Sequence, residues 1–308
     1  MLGIGRRIRL RSLLILVAAC SVVCGLGVQL YRSFSPLRRS VSQLRPGNSA
    51  LTRLGAVERL ANASALPPWE REEAYKLLLS AVNDSDPQVR SLAVNVLARY
   101  REHAAEIVSA VVGLTRDADP RVREQTLFTL EGLVKRGSPE AQTVIQAAVT
   151  ALDDPKPAVR LEAGRALYVL GQGSRAVPAL ARLVREETGN HRLGALGFLL
   201  RVKTIPPELD PTLRAMMKSD YVWERIWARQ ALILYRMPAE EREAMIKAMA
   251  SSSQNAERLE GARLLVHFGR SEGAIPVLRE LAAHGSAEER ARAQTLLHEA
   301  LHGTEDIP

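Results

Sequence analysis

Asp86-Pro87-Gln88-Val89-Arg90-Ser91-Leu92-Ala93, running on to Leu97, is the unit from which most of this chain is copied. An acidic residue and a proline stand at a turn. Val-Arg follows, then a small residue three positions after the arginine and a leucine seven after it. The frame returns as Asp119-Pro120-Arg121-Val122-Arg123 with Thr126 and Leu130, and as Pro157-Ala158-Val159-Arg160 with Ala163 and Leu167. Fainter copies carry Arg192 with Ala195 and Leu199, Arg225 with Ala228 and Leu232, Arg258 with Gly261 and Leu265, and Arg290 with Ala293 and Leu297. A partial copy upstream has Arg53, Ala56 and Leu60. These marker arginines are 37, 33, 37, 32, 33, 33 and 32 residues apart, and self-similarity at such a period is the signature of a stacked-repeat array.

Positions three and seven after the arginine fall on one side of a helix, where a small residue lets a neighbouring helix approach and leucine fills the core. Pro87 and Pro120 sit where one helix stops and another begins, because a missing N–H costs least in a first turn. The aspartate before each suits an N-cap, where a carboxylate accepts orphan backbone N–H groups and complements the helix dipole.

The frame D-P-x-V-R-x-x-A-x-x-x-L resembles the HEAT-repeat family, in particular its short bacterial form, over about residues 50 to 302. The resemblance implies an all-α fold, an α-solenoid or superhelix of about seven helix pairs. It also implies a stacked polar ladder of turn aspartates and helix arginines, which maps here onto Asp86 with Arg90, Asp119 with Arg123, and Asp153 or Asp154 with Arg160. From the fourth copy on, the Val-Arg pair becomes His191-Arg192, Glu224-Arg225, Glu257-Arg258 and Glu289-Arg290, a departure from the ladder's pattern.

The net charge of +8 is concentrated in the first 45 residues, which hold eight arginines and no acid, leaving 34 bases against 34 acids in the remainder. The repeats are therefore formally neutral, which argues against a nucleic-acid binder. Ser12 to Leu30 runs 19 residues without a charge, about 28 Å as a helix and close to the hydrocarbon thickness of a bilayer. The expected organisation is a basic tail at 1–11, a transmembrane signal anchor at 12–30, a linker at 31–50 and a solenoid at 51–308. That makes a single-pass protein of the bacterial inner membrane with its repeats outside the cytoplasm. As an alternative, Val17-Ala18-Ala19-Cys20 resembles a lipobox, with Cys20 the lipidated residue of a lipoprotein. The only cysteines are Cys20 and Cys24, so the repeats have no disulfide and no thiolate metal site.

One motif carries chemistry: His298-Glu299-Ala300-Leu301-His302 matches H-E-x-x-H, two histidines facing one zinc with a glutamate as general base. Zincins take their third ligand downstream, but only Gly303 to Pro308 follows here, without their G-x-x-H continuation, so an upstream histidine such as His267 or His284 would have to fold back. The motif also lies in register with the last repeat, with Leu297 and Leu301 on its buried stripe. The pair His298-Glu299 is similar to the His-Glu motifs of HEAT-type deoxyhypusine hydroxylases, but those use several pairs and this chain has one. No Gly-rich phosphate loop and no G-x-S-x-G is present. Tyr221, Trp223 and Trp227, in a repeat whose Val-Arg frame is eroded, are candidate partner contacts, because Trp and Tyr anchor interfaces.

Together these features predict a membrane-anchored scaffold without a cofactor, holding a protein or peptide partner along a concave side lined by the second helices. The rival readings are a zinc-dependent hydrolase using His298, Glu299 and His302, and a HEAT-like nucleic-acid binder.

Overall fold

A computed structural model describes residues 36–61 and 68–302. Every regular element among the described residues is helical, sixteen α-helices and four short 3-10 segments without a strand. They divide into two compact units at Lys135 and Arg136. The first holds α1 (Pro36–Gln43), α2 (Ala50–Ala61), α3 (Pro68–Ala81), α4 (Pro87–Leu97), α5 (Ala104–Val111) and α6 (Pro120–Leu133). The second holds α7 (Ala141–Ala151), α8 (Pro157–Val169), α9 (Val177–Glu186), α10 (Gly189–Arg201), α11 (Asp210–Met216), α12 (Val222–Tyr235), α13 (Ala239–Ala250), α14 (Asn255–His267), α15 (Ser271–His284) and α16 (Ala287–His302). Even-numbered helices carry the marker arginines and are the second members of their pairs. Within each unit every second helix packs on the next second helix, the stacking of a solenoid.

The two offsets read from the sequence are the core. Ala56, Ala93, Thr126, Ala163, Ala195, Ala228 and Ala293, three after the arginine, are all fully buried. So are Leu60, Leu97, Leu130, Leu167, Leu199 and Leu232, seven after it. Gly261 shows why the first position stays small: a Cβ there would sit 2.4 Å from the backbone nitrogen of Ala250 on α13. The paired helices touch main chain to main chain.

Among the described residues eight helix pairs form, where about seven were expected. Residues 36–43, read as part of a linker, make a helix that packs on α2. Leu37 and Ser40 are buried there, and the Ser40 hydroxyl donates to the carbonyl of Ala56. The partial copy around Arg53 is thus the second half of a full pair. The inner-membrane, single-pass localisation is also corrected: among the described residues no helix is long and apolar enough to cross a membrane. The longest, α16, has 16 residues, about 24 Å against a hydrocarbon core of about 30 Å, and charges run along it. The stretch 12–30 and Cys20 lie outside the described residues.

Several second helices end on one device. After α8 and α14, the N–H groups of Gln172 and Arg270 reach back to the carbonyls of Leu167 and Leu265, and the turn residues Gly171 and Gly269 have φ of 76° and 71°. This left-handed closing turn satisfies orphan carbonyls at the helix end and favours glycine. After α10 the same turn, closed by Thr204 N–H on the carbonyl of Leu199, is made by Lys203 at φ 57°. Replacing Lys203 by glycine relieves a strained side chain at some cost in chain entropy. The net is an expected gain of about 0.5–1 kcal/mol, read as a higher urea midpoint at unchanged slope.

Candidate functional site

Arg53 and Arg90 each do two jobs. In the first unit, Arg53 grips Asp84 with a two-pronged fork, both bonds 2.7 Å. Arg90 grips Asp117 in the same way at 2.8 and 2.7 Å. The remaining nitrogen of Arg90 donates to the carbonyls of Asp84 and Ser85 in the turn before its own helix, and that of Arg123 to the carbonyls of Asp117 and Ala118. One guanidinium thus closes its own turn, and in Arg53 and Arg90 it also binds the turn of the following repeat. Lysine lacks the planar fork to do both.

The second unit builds the clamp with different acids. Arg160 donates to the carbonyls of Asp154 and Pro155 and meets Glu187 at 3.2 Å. Arg192 meets Glu224 at 3.4 Å. Arg225 meets Glu257 at 2.6 Å, with Arg229 on the other oxygen at 3.0 Å, and also donates to the carbonyls of Ser219 and Asp220.

The ladder partners therefore differ from those the resemblance implied. Asp86 and Asp119 are N-caps: Asp86 accepts the N–H groups of Gln88 and Val89, and Asp119 that of Arg121. A cap must turn its oxygens into the first turn of the helix, away from an arginine one turn on. The ladder acids are Asp84 and Asp117, six residues before a marker arginine. Asp154 stands at the equivalent place and accepts the N–H of Lys156. Where serines replace this aspartate, at Ser219 and Ser252, they keep its turn bond by accepting the N–H of Tyr221 and of Gln254. The carboxylate then comes from Glu224 and Glu257, immediately before the arginine. The Val-to-Glu replacement that seemed to erode the frame is the compensation for the lost aspartate. The signal lay in the sequence as two changes occurring together in the same repeats.

Three of these carboxyls, Glu257, Asp84 and Asp119, are held below their ordinary values. Desolvation pushes the Glu257 carboxyl up, but hydrogen bonds from Ser252, Arg225 and Arg229 outweigh it and leave it below the ordinary glutamate value. Asp84 shows the same balance, with desolvation overcome by Arg53 and the Asp86 N–H. Asp119 falls to about 2, first through its bond with Arg121.

The faces of the second helices hold the other candidate residues. Tyr221 and Trp223 are exposed, at 47% and 38%. Trp227 is packing: a Cβ on Gly197 of α10 would lie 2.5 Å from its ring, so the indole fills the groove that the glycine leaves. In the first unit an open cleft of about 340 Å³ runs between α4 and α6, lined by Gln88, Leu92, Asn95, Arg121 and Gln125. In the second unit a smaller notch of about 150 Å³ opens beside Trp223. On α16, His298 and His302 are exposed with ring centres 4.7 Å apart. However, among the described residues no three His, Cys, Asp or Glu side chains gather to hold a metal, so the zinc-hydrolase reading has no support. Leu297 packs against the core, but Leu301, expected on the buried stripe, is 50% exposed because no described helix lies beyond α16 to cover it.

The HEAT repeats family matches residues 75–150, 107–192 and 145–233, just over half the chain. This chain belongs to the HEAT-repeat family. Among solved structures, this HEAT-repeat protein is similar to YibA of Escherichia coli, with a TM-score of 0.57 and 15% identity over 88% of this chain and 96% of that one. It is also similar to an engineered protein at TM-score 0.46 and 19% identity, over 86% of this chain and 78% of that one. A third likeness, at TM-score 0.41 and 16% identity over 73% of this chain and 94% of the other, is to the complex of CpcE and CpcF of phycocyanin lyase from Nostoc sp. PCC7120. At these identities the likeness is one of fold alone. No curated protein sequence matches the chain significantly.

Two outcomes follow from the clamp. Glu224→Val leaves Arg192 without its carboxylate and lowers stability by about 1–3 kcal/mol. Adding Ser219→Asp restores a turn acid six residues before Arg225 and recovers part of the loss, whereas in the otherwise unaltered protein the same change gives no comparable gain. Chemical denaturation of the four proteins reads this. The second outcome concerns pH. Carboxyls with folded pKa values below their unfolded ones contribute stability that is complete above the ordinary carboxylate range and lost as pH falls through the folded values. The urea midpoint is expected to be flat above about pH 5 and to drop steadily from about pH 4 towards 2.

Proposed function

We propose that this HEAT-repeat protein is a noncatalytic scaffold that holds a protein or peptide partner along its second helices. The observation that carries the reading is the pair of open clefts on the second-helix face of each unit, with the exposed Tyr221 and Trp223 beside one of them. A repeat near 33 residues brings equivalent side chains of successive helices into rows, so an extended partner meets similar positions again and again. Exposed Trp and Tyr are efficient anchors at such surfaces. The clefts are open to solvent, where general acid–base chemistry has little means of tuning a pKa. The equal count of acids and bases after residue 45 disfavours the phosphate-driven attraction that a nucleic-acid ligand requires.

Photo-crosslinking tests the reading. A benzophenone amino acid placed at Gln88, Gln125 or Trp223 is expected to trap a discrete protein partner in cells of the source organism. The same group at Lys76 or Gln146, exposed on the first helices α3 and α7, traps none. Equal adducts from both sets, or none from the second-helix set, overturns the proposal.

A further inference from the structure

The notch beside Trp223 has a composition that selects its occupant. Trp223, Ala256 and Glu288 hold the same place in three successive repeats, two residues before Arg225, Arg258 and Arg290. They therefore form a row across the starts of α12, α14 and α16. The small Ala256 in the middle of that row leaves the gap, and Leu259, Glu289 and Arg292 line it as well. A volume of about 150 Å³ admits the end of one long side chain.

The charges around the gap are unequal. Glu260, which also lines the notch, is already paired with Arg263 on its own helix. Glu288 has only a loose contact with Arg292, 3.9 Å between largely exposed groups. Glu289 makes no ion pair among the described residues: its carboxylate accepts the backbone N–H of Ser286 at 2.7 Å and the amide of Asn255 at 3.4 Å. The Ser286 N–H holds that carboxyl below the ordinary glutamate value, so at neutral pH it is ionised. An ionised carboxylate that makes no ion pair and an exposed indole thus line one gap wide enough for a side chain.

We propose that this notch receives a basic side chain of the partner, arginine in preference to lysine. The guanidinium stacks against the Trp223 indole and its N–H groups donate to Glu289 and Glu288. A planar cation suits both surfaces at once, because it is weakly hydrated, stacks on aromatic faces and forks onto carboxylates. This assignment rests on the scaffold reading and supplies one chemical feature of the partner: a basic residue presented from an extended segment.

The test uses the full chain labelled with 5-fluorotryptophan, whose three tryptophans give three ¹⁹F resonances, that of Trp223 assigned with Trp223→Phe. The probes are the capped tripeptides Ac-Gly-Xaa-Gly-amide with Xaa as Arg, Lys, Leu, Pro or Glu. The Arg peptide is expected to shift the Trp223 resonance saturably and to bind roughly three- to tenfold more tightly than the Leu and Pro peptides. The Lys peptide falls between them, and the Glu peptide leaves the resonance in place. Ala256→Leu fills the gap without touching tryptophan or acids and abolishes the response. Glu289→Gln weakens Arg binding while leaving the weak Leu binding as it was. The proposal is overturned if Leu or Pro binds as well as Arg, if Ala256→Leu still responds, or if no peptide moves the resonance. Should the notch fail while Gln88 and Gln125 still cross-link a partner, the basic-residue assignment falls and the scaffold reading stands. Loss of those cross-links is what removes the scaffold reading itself.

Discussion

The structure depends on one constraint: a two-helix repeat has a long polar turn that it cannot satisfy by itself. Each turn carries carbonyls that its own helices leave unpaired, and the next repeat must be held at a fixed distance. A single arginine answers both needs, with one nitrogen on the carbonyls of its own turn and, in Arg53 and Arg90, a fork on the carboxylate one repeat later. The apolar core sets how closely helices approach. The arginine sets which turn faces which.

That division of labour accounts for what varies along the chain. The small residue and the leucine at three and seven positions after the arginine stay nearly constant because they touch main chain and core. The acid is free to move, since any carboxylate that reaches the guanidinium serves. In the first unit it is an aspartate in the turn. In the second it is Glu187, Glu224 or Glu257, and Ser219 and Ser252 retain only the turn's own hydrogen bond. A desolvated carboxylate is tolerable there because it is met by a guanidinium, and at Glu257 by two.

Function then falls to the positions this framework does not use. Two residues before each arginine the side chain faces outward, and the row it forms is free to change from Gln88 and Arg121 in the first unit to Trp223, Ala256 and Glu288 in the second. Trp227, only four residues from Trp223, is consumed by packing over Gly197. Two neighbouring indoles thus have different fates because the repeat beside one of them contributes a glycine and the repeat beside the other an alanine with open space.

The sequence by itself determined the repeat, its period, the helical class, the positions of the buried alanines and leucines, and the capping aspartates, because each is a local pattern set by helix periodicity and turn chemistry. It did not reveal that Pro36–Gln43 completes an eighth pair, since a short polar helix earns its place only by packing on α2. Nor did it reveal the partners of the marker arginines. Those bonds join residues 27 to 32 positions apart, and only stacking decides which carboxylate stands within reach. The zinc-like spacing of His298 and His302 is a local pattern too, but a metal site needs ligands from other helices, and packing brings none there among the described residues. What is periodic along the chain can be read from the chain; what is adjacent only across repeats is decided by how the helices pack.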